Sequence, residues 1–468
     1  MICLFFFFRL GVQFQNVATE KVRDSGFGAV LTPSRSHQKM EAQGFRCGVL
    51  SDNPASALAQ CNAKELKRRF GLYLPEEVVE EILLRLPTES LLICKCVCKL
   101  WYNLITEPSF INKHLRFTVQ NRNISSSSVS LFLKWTRQEL SEHDIFHGDR
   151  HDLDLSKQVL SLITITKDQD ANFNSNSGSG DNLPCVIEQL SFPSLPQKEQ
   201  VDFPRDSVSS HCNGIICLFN RLRKERTVLF NPALRRFRIL HTPCLLPNFE
   251  YAGCGFGYDP MTNVYKFVKI FRSARDARVS RAQVYTLGID SWREIKIDVV
   301  QGKSCYPHGG GVYCKGFYYW YNMNLKYEMI LSFDMSKEKF HIIPIPDHTK
   351  HIDRRIKRLA LWNESVVFFF SPELSWFSTI LEMWVLVDDS GGVEGSTYWR
   401  KHLTIGPLAR IEAPLEFWKD DELLFETRDG LIVSYNLYTQ SLRKLPIPGA
   451  IYPGLTYANV CLESPLIV

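Results

Sequence analysis

The 468-residue sequence lacks the features that define several large classes of protein. It has no segment approaching the ~20 consecutive apolar residues of a membrane-spanning helix, so we expect no membrane partner. The net charge is only +5 and the basic residues are scattered, whereas nucleic-acid binding needs a concentrated basic face. The 14 cysteines are irregularly spaced, which favours reduced, mostly buried thiols in a cytoplasmic or nuclear protein.

Catalytic and metal-binding motifs are also scarce. The HGGG tetrapeptide at 308–311 matches an esterase oxyanion hole, but no G-x-S-x-G motif supplies a nucleophilic serine. The G-x-G-x-G run at 253–257 lacks the helix that follows a dinucleotide-binding loop, so we expect a turn and a bulge between strands. Cys94, Cys96 and Cys98 suggest zinc, but no second cysteine pair stands at finger-like spacing. We therefore predict no catalytic residues, no metal site and no cofactor.

A strong helical periodicity appears first between residues 74 and 87. Pro75 suits a first helical position, where its missing N–H costs nothing, and apolar residues then recur on one face. A second proline ends this helix, and Thr88 can cap the next one. A third short element follows at 107–111. Together these segments predict a small all-α bundle.

Beyond residue 125 the sequence changes to short, β-branched and aromatic segments separated by polar turns. A hydrophobic pair leads into a turn, and a bulky residue opens the next strand, at 228–239, 284–295, 331–342, 383–399 and 433–445. The spacing of about 50 residues is close to the kelch period. Because one unit cannot bury its apolar face alone, the pattern favours a β-propeller, with a β-sandwich or an open barrel as the alternative.

One basic segment of the β region is a candidate binding surface, because loops at one end of a rigid scaffold often carry recognition. It contains Arg272, Arg275, Arg278 and Arg281. A solvated turn is the simpler interpretation. If the segment binds a partner, an acidic or phosphorylated protein patch is expected.

The helical segment combines Leu74-Pro75, Leu86-Pro87, Leu91-Leu92 and Trp101 in this order. In this combination it resembles the plant F-box over its whole length. Ile93 and Cys94 depart from the family pattern, which usually has arginine and phenylalanine at these positions. The resemblance implies that the bundle binds a SKP-type adaptor, and through it a cullin and a RING protein. The matching residues, which are the predicted adaptor contacts, are Leu74, Pro75, Val78, Ile82, Leu83, Leu86, Pro87, Leu91, Leu92, Lys95, Val97 and Trp101.

The β region contains the segments Cys212-Asn213-Gly214, Phe230-Asn231-Pro232, Gly255-Phe256-Gly257-Tyr258-Asp259, Ser291-Trp292 and Phe333-Asp334. In these segments it resembles the F-box-associated domain. Further along the chain, Ile405-Gly406-Pro407, Trp418-Lys419 and Tyr435-Asn436 are similar to the S-locus F-box subgroup. That subgroup includes determinants of self-incompatibility, which target pistil ribonucleases.

These resemblances imply a three-part organisation: an N-terminal extension without clear periodicity and poorly ordered at 1–68, an F-box at 69–116, and an all-β substrate-recognition domain at 125–468, best matched at 205–445. The implied function is that of a non-catalytic substrate receptor of an SCF ubiquitin ligase, in which proximity raises the effective concentration of substrate lysines. A β-propeller enzyme or a glycan-binding module fused to an F-box is the alternative.

Overall fold

The described part of the chain comprises a helical unit and a β unit, which divide after Phe117. The computed structural model describes residues 76–121, 128–138, 156–166, 182–190, 207–220, 226–241, 248–276, 279–297, 307, 310–322, 328–346, 356–372, 378–388, 397–447, 453–462 and 464. No helix in these ranges is long and apolar enough to cross a membrane.

Four helices form the first unit: α1 (Glu76–Leu84), α2 (Thr88–Cys94), α3 (Lys99–Thr106) and α4 (Pro108–Asn121). Two glutamates occupy the first turn of α1, where negative charge is favourable. The helices share one small core, which contains Leu83, Leu91, Ile105 and Phe110. The predicted helical bundle is confirmed.

The β unit consists of six antiparallel sheets of four strands, which we call blades I to VI. Blade II contains β4 (Ser207–Cys212), β5 (Ile215–Asn220), β6 (Arg226–Asn231) and β7 (Arg236–His241). Blade III contains β8 (Phe249–Asp259), β9 (Val264–Ser273), β10 (Ser280–Thr286) and β11 (Ser291–Lys296). Blade IV contains β12 (Val312–Cys314), β13 (Phe317–Asn322), β14 (Met329–Asp334) and β15 (Lys339–Pro344).

The remaining three blades complete the ring. Blade V contains β16 (Lys357–Trp362), β17 (Ser365–Phe370), β18 (Ser378–Asp388) and β19 (Thr397–Ala409). Blade VI contains β20 (Ile411–Lys419), β21 (Glu422–Thr427), β22 (Ile432–Asn436) and β23 (Leu442–Lys444). Blade I combines β1 (Ser128–Gln138), β2 (Ser156–Thr166) and β3 (Cys185–Gln189) with the last strand, β24 (Tyr457–Val460).

Blade I closes the ring, because its strand β24 follows all the other blades in the chain, whereas β1, β2 and β3 precede them. The register pairs Leu131 of β1 with Val460 of β24. Six clusters of buried hydrophobic side chains each join two neighbouring blades, including one between blades VI and I. The predicted propeller is therefore confirmed, and neither a sandwich nor an open barrel describes the sheets.

The five repeated segments of the sequence are the third and fourth strands of blades II to VI. A recurring turn explains their polar residue. The Asn231 side-chain oxygen accepts from the backbone N–H of Leu234, and the Asn436 oxygen accepts from the N–H groups of Tyr438 and Thr439. Asp334 makes the same contacts in blade IV. Such side chains satisfy the turn backbone and so fix the hairpin.

The glycine run at 253–257 lies inside β8, so the predicted turn is wrong at this position, although a register shift confirms the bulge between Tyr251 and Gly253. Gly255 faces blade IV, where a Cβ atom would lie 2.7 Å from the rings of Tyr318 and Trp320. Glycine is needed here because the aromatic side chains of the next blade approach the strand backbone.

Candidate functional site

The described residues of the predicted adaptor surface fall into two groups. Leu83 and Leu91 are fully buried, and Ile82 and Leu86 are nearly so, which places them in the core of the helical unit. These residues shape the bundle. Pro87 is exposed, and the partly exposed members are Val78, Leu92, Lys95, Val97 and Trp101. Leu74 and Pro75 lie outside the described residues, and the adaptor-binding role of the whole set stays a prediction.

Three large apolar side chains on the same helices were missed by the sequence analysis. Ile93 is 46% exposed, Leu100 46% and Tyr102 53%. Large apolar side chains exposed on a small unit are candidates for contact with a partner. The departure of Ile93 from the family pattern was a sequence signal for an exposed apolar residue. The sequence alone did not show that α3 also presents apolar side chains to solvent.

A shallow cavity lies beside Leu100. Leu100 and Leu104 supply its apolar wall, and the other lining residues are Glu76, Asn103, Thr106 and Glu107. Lys113 of α4 donates to Glu80 of α1 over 2.6 Å, and a nitrogen of the His114 ring lies 2.9 Å from the Leu86 carbonyl oxygen. These contacts fix the helices around the cavity.

The cysteine run of this unit does not form a metal site in the structure described. Cys94 is buried, Cys96 is exposed and Cys98 is intermediate. Burial, and secondarily the neighbouring Cys96, raises the pKa of the Cys94 thiol to about 11. No cluster of three metal-ligating side chains occurs within the described ranges.

The propeller has two ends that differ in their connections. At one end, which we call the short-turn end, the first strand of a blade joins the second, and the third joins the fourth, mostly through tight turns. The opposite end, which we call the long-loop end, holds most of the longer connections. Arg272 and Arg281 lie on β9 and β10 at the long-loop end, and Arg275 is exposed in the turn between them. Arg278 lies outside the described residues.

Two of the candidate arginines already have acidic partners. Arg272 lies 3.0 Å from the Glu250 carboxylate, and Arg281 forms an ion pair with Glu294. The Arg281 guanidinium also lies 5.5 Å from the centre of the Phe249 ring. Ion pairs near the surface contribute little stability. A role for these arginines in binding a substrate stays a prediction.

A buried ionic cluster joins blades III and IV at the short-turn end. The Lys266 ammonium lies 2.8 Å from both Asp259 and Glu338 and donates to the Met335 carbonyl. Burial alone would raise the pKa of Asp259, but hydrogen bonds from Lys266, Ser336 and Thr262 hold this pKa well below its usual range. The cluster is a structural link between blades.

Replacing Lys266 by methionine is expected to lower the free energy of unfolding by about 3 kcal/mol, because Asp259 would be left buried without its cation, whereas Glu338 would keep its ion pair with Arg293. Urea denaturation followed by circular dichroism measures the change. Arg410→Met is the control, since its ion pair with Asp429 is exposed and should contribute less than about 1 kcal/mol. Equal effects of the two substitutions would contradict the structural role of the cluster.

A second buried cation lies between blades II and III. The Lys269 ammonium is 4.6 Å from the centre of the Phe219 ring and 5.2 Å from that of Trp292. The residue is 3% exposed, and burial lowers its pKa to about 7. Between about pH 7 and the ordinary lysine pKa, the Lys269 side chain binds a proton in the unfolded chain but not in the folded chain. Stability should therefore rise with pH across this interval.

We expect Lys269→Met to stabilise the propeller by roughly 2 kcal/mol at pH 7, because a buried cation is replaced by an apolar side chain of similar length. The gain should shrink as the pH approaches 10. Chemical denaturation at several pH values measures it. Lys419→Met is the matched control, since Lys419 also lies over a ring, at 4.3 Å from that of Trp418, but is partly exposed. A pH-independent difference at Lys269 would contradict this explanation.

The described residues form a helical unit with exposed apolar side chains and a six-bladed β-propeller. Family comparisons agree with this division. Residues 72–113 match the F-box domain model, and residues 161–449 match the F-box associated beta propeller domain. The chain therefore belongs to the family of F-box proteins with an F-box-associated β-propeller.

The curated relatives are plant proteins. The F-box protein At3g08750 of Arabidopsis thaliana is 25% identical over 280 residues, which are 59% of this chain and 61% of the relative. The F-box/kelch-repeat protein At3g17530 of the same plant is 23% identical, over 69% of this chain and 74% of the relative. The chain thus spans about three fifths of the length of several relatives that it matches.

Similarity to solved structures is low. TolB from Acinetobacter baumannii aligns with a TM-score of 0.38 at 10% identity, over 75% of this chain and 72% of that protein. RRP9 WD40 repeats align with a TM-score of 0.31 at 10% identity, over 63% of this chain and 77% of theirs. No functional feature of these proteins carries over to this chain.

Proposed function

We propose that the chain is the substrate-recognition subunit of an SCF ubiquitin ligase. The apolar surface of α2 and α3 binds a SKP-type adaptor, which joins a cullin and a RING protein. The observation that carries the proposal is the exposure of Ile93, Leu100 and Tyr102 on a small helical unit that matches the F-box model. Such a surface is costly in water unless a partner covers it.

In this arrangement the propeller captures a protein substrate and holds it near the charged ubiquitin-conjugating enzyme. Binding in this way raises the effective concentration of substrate lysines without any nucleophile from this chain. We therefore propose a non-catalytic role, exercised in the cytoplasm or the nucleus. The family match of the propeller supports this role.

Co-purification of the full chain with a recombinant plant SKP-type adaptor tests the adaptor step. Wild type should form a stoichiometric complex, and Leu74→Ala combined with Pro75→Ala should weaken it. Circular dichroism and thermal unfolding show whether the variant is folded. Failure of the folded wild-type chain to bind any of a panel of such adaptors would remove the proposal.

A narrower proposal concerns the substrate. The similarity of segments near Pro407, Trp418 and Tyr435 to S-locus F-box proteins suggests a pistil ribonuclease. A panel of purified pistil ribonucleases immobilised for surface plasmon resonance tests it. If none binds while the adaptor does, the ribonuclease is excluded and the ligase role is retained.

A further inference from the structure

Two turns at the short-turn end of blade III carry exposed apolar side chains, which we call the apolar pair. Met261, between β8 and β9, is 79% exposed, and Ile289, between β10 and β11, is 71% exposed. One exposed apolar residue is ordinary on a protein surface. Here the two turns lie two strand spacings apart, which is about 10 Å, so one extended segment of another chain can contact both side chains.

Polar contacts, and not the apolar pair itself, hold the backbone of the two turns. In the first turn, the Asp259 carboxylate accepts from the backbone N–H of Met261 over 2.9 Å. In the second turn, the Asp290 carboxylate accepts from the Gly288 N–H and from the Tyr285 hydroxyl. The apolar pair is therefore presented on fixed turns, which lowers the entropic cost of binding a partner.

Positive charge adjoins Met261 on the side of blade IV. The Ser336 hydroxyl donates to Asp259 over 2.5 Å, which places the turn between β14 and β15 against the turn of Met261. Lys337 is the next residue of that turn, and it is exposed. Within the described ranges, its ammonium forms no ion pair.

A second cation adjoins Ile289 on the side of blade II. Arg238 of β7 reaches the Asp290 carboxylate over 2.6 Å, so this face of β7 lies against the turn of Ile289. Arg236 is on the same face, because strand residues two apart point the same way, and it lies nearer the short-turn end. It is exposed and has no ion-pair partner among the residues that the structure describes. Arg236 and Lys337 are thus flanking cations, one on each side of the apolar pair.

Two carboxylates of the same turns already have cationic partners. Asp290 is bound by Arg238, as described above. The Glu338 side chain is only 10% exposed, lies 2.8 Å from Lys266 and also forms an ion pair with Arg293. Neither carboxylate is the partner of a flanking cation, so the charge offered to a partner beside the apolar pair is positive.

We propose that the apolar pair and its flanking cations are the docking site for an acidic, extended segment of the substrate protein. Charge complementarity selects this occupant, because carboxylates at both ends of the segment would meet Arg236 and Lys337 while central apolar side chains cover Met261 and Ile289. Three residues of a polyproline II chain span about 9 Å and bring the first and fourth side chains to one face, which matches the spacing of the two turns. The inference rests on the proposed function in naming the partner a substrate.

Three fluorescent peptides, EELPPLEE, KKLPPLKK and EESPPSEE, test the proposal by fluorescence anisotropy with the full chain. The first should bind at least about tenfold tighter than either of the others, a difference of about 1.4 kcal/mol. Added salt should weaken its binding, because the paired charges are exposed. Absence of binding, or equal affinity for the three peptides, would overturn the proposal. An oligothymidine of eight nucleotides that binds as tightly would also overturn it, because attraction of phosphates alone would then explain the binding.

Variants of the chain locate the site. Met261→Ser combined with Ile289→Ser should weaken binding of EELPPLEE at least about tenfold, and Arg236→Glu combined with Lys337→Glu should reverse the preference in favour of KKLPPLKK. Tyr438→Ser is the matched control, since Tyr438 is 83% exposed at the same end of the propeller but belongs to blade VI. Thermal unfolding shows that each variant is folded. Unchanged binding by the folded serine variant, or a charge-reversed variant that still prefers the acidic peptide, would overturn the proposal.

Adaptor co-purification with the same protein samples separates this inference from the function on which it rests. Adaptor binding without peptide binding would overturn the docking site and leave the ligase role standing. Peptide binding without adaptor binding would remove the ligase role and the name of substrate, and would support the apolar pair as a site for acidic segments.

Discussion

Leu100→Glu combined with Tyr102→Glu is expected to lower the affinity for a SKP-type adaptor at least about 100-fold, because the substitutions place two charges on the apolar surface that the adaptor would cover. Leu100 and Tyr102 are 46% and 53% exposed, so neither carboxylate has to be buried in the free chain. Isothermal titration calorimetry with the purified adaptor measures the loss, and the thermal midpoint should barely change.

A further variant sharpens this test. Ile289→Glu places the same charge on an apolar residue of the propeller and should have no effect on the adaptor. Full adaptor affinity of the folded Leu100 and Tyr102 double variant would contradict the assignment of α3 to the interface.

A chain shortened to end at residue 455 is expected to lose the folded propeller, because β24 supplies the first strand of blade I. Ala458 and Val460 of this strand are buried in the cluster between blades VI and I, and Tyr457 packs between blades I and II. Their loss opens two of the six blade interfaces at once. We expect the free energy of unfolding to fall by more than about 5 kcal/mol, which is comparable to the stability of many whole domains.

Near-ultraviolet circular dichroism and limited proteolysis of the shortened chain measure this loss, and a synthetic peptide with the sequence of residues 456–464 should restore the signal when added in excess. Leu455→Ala is the control, since this side chain is 44% exposed and precedes the strand. A shortened chain that unfolds at the same urea concentration as wild type would show that blade I does not depend on β24.

The sequence determined the local units of this protein. Helical periodicity and Pro75 located the helical bundle, because amphipathic helices leave a regular spacing of apolar residues. Its resemblance to the F-box came from the residues at those positions. Five hairpins were located from their turn residues, since side chains such as Asn231 and Asn436 satisfy the turn backbone within a few positions. These features depend on neighbours in the chain and are therefore visible without the fold.

Only the tertiary structure decided which surfaces remain open. Leu83 and Leu100 are both leucines on helices, yet one is fully buried and the other is 46% exposed. Blade I escaped the repeat pattern because its third and fourth strands, which end at Thr166 and begin at Cys185, are not joined by a short turn. That β24 completes this blade is also set by the fold, since it lies more than three hundred residues from β1. The exposed edge of β3 and the partners of Arg272 and Arg281 likewise depend on strands that are distant in sequence. Burial is set by the packing of whole blades, and no local pattern records it.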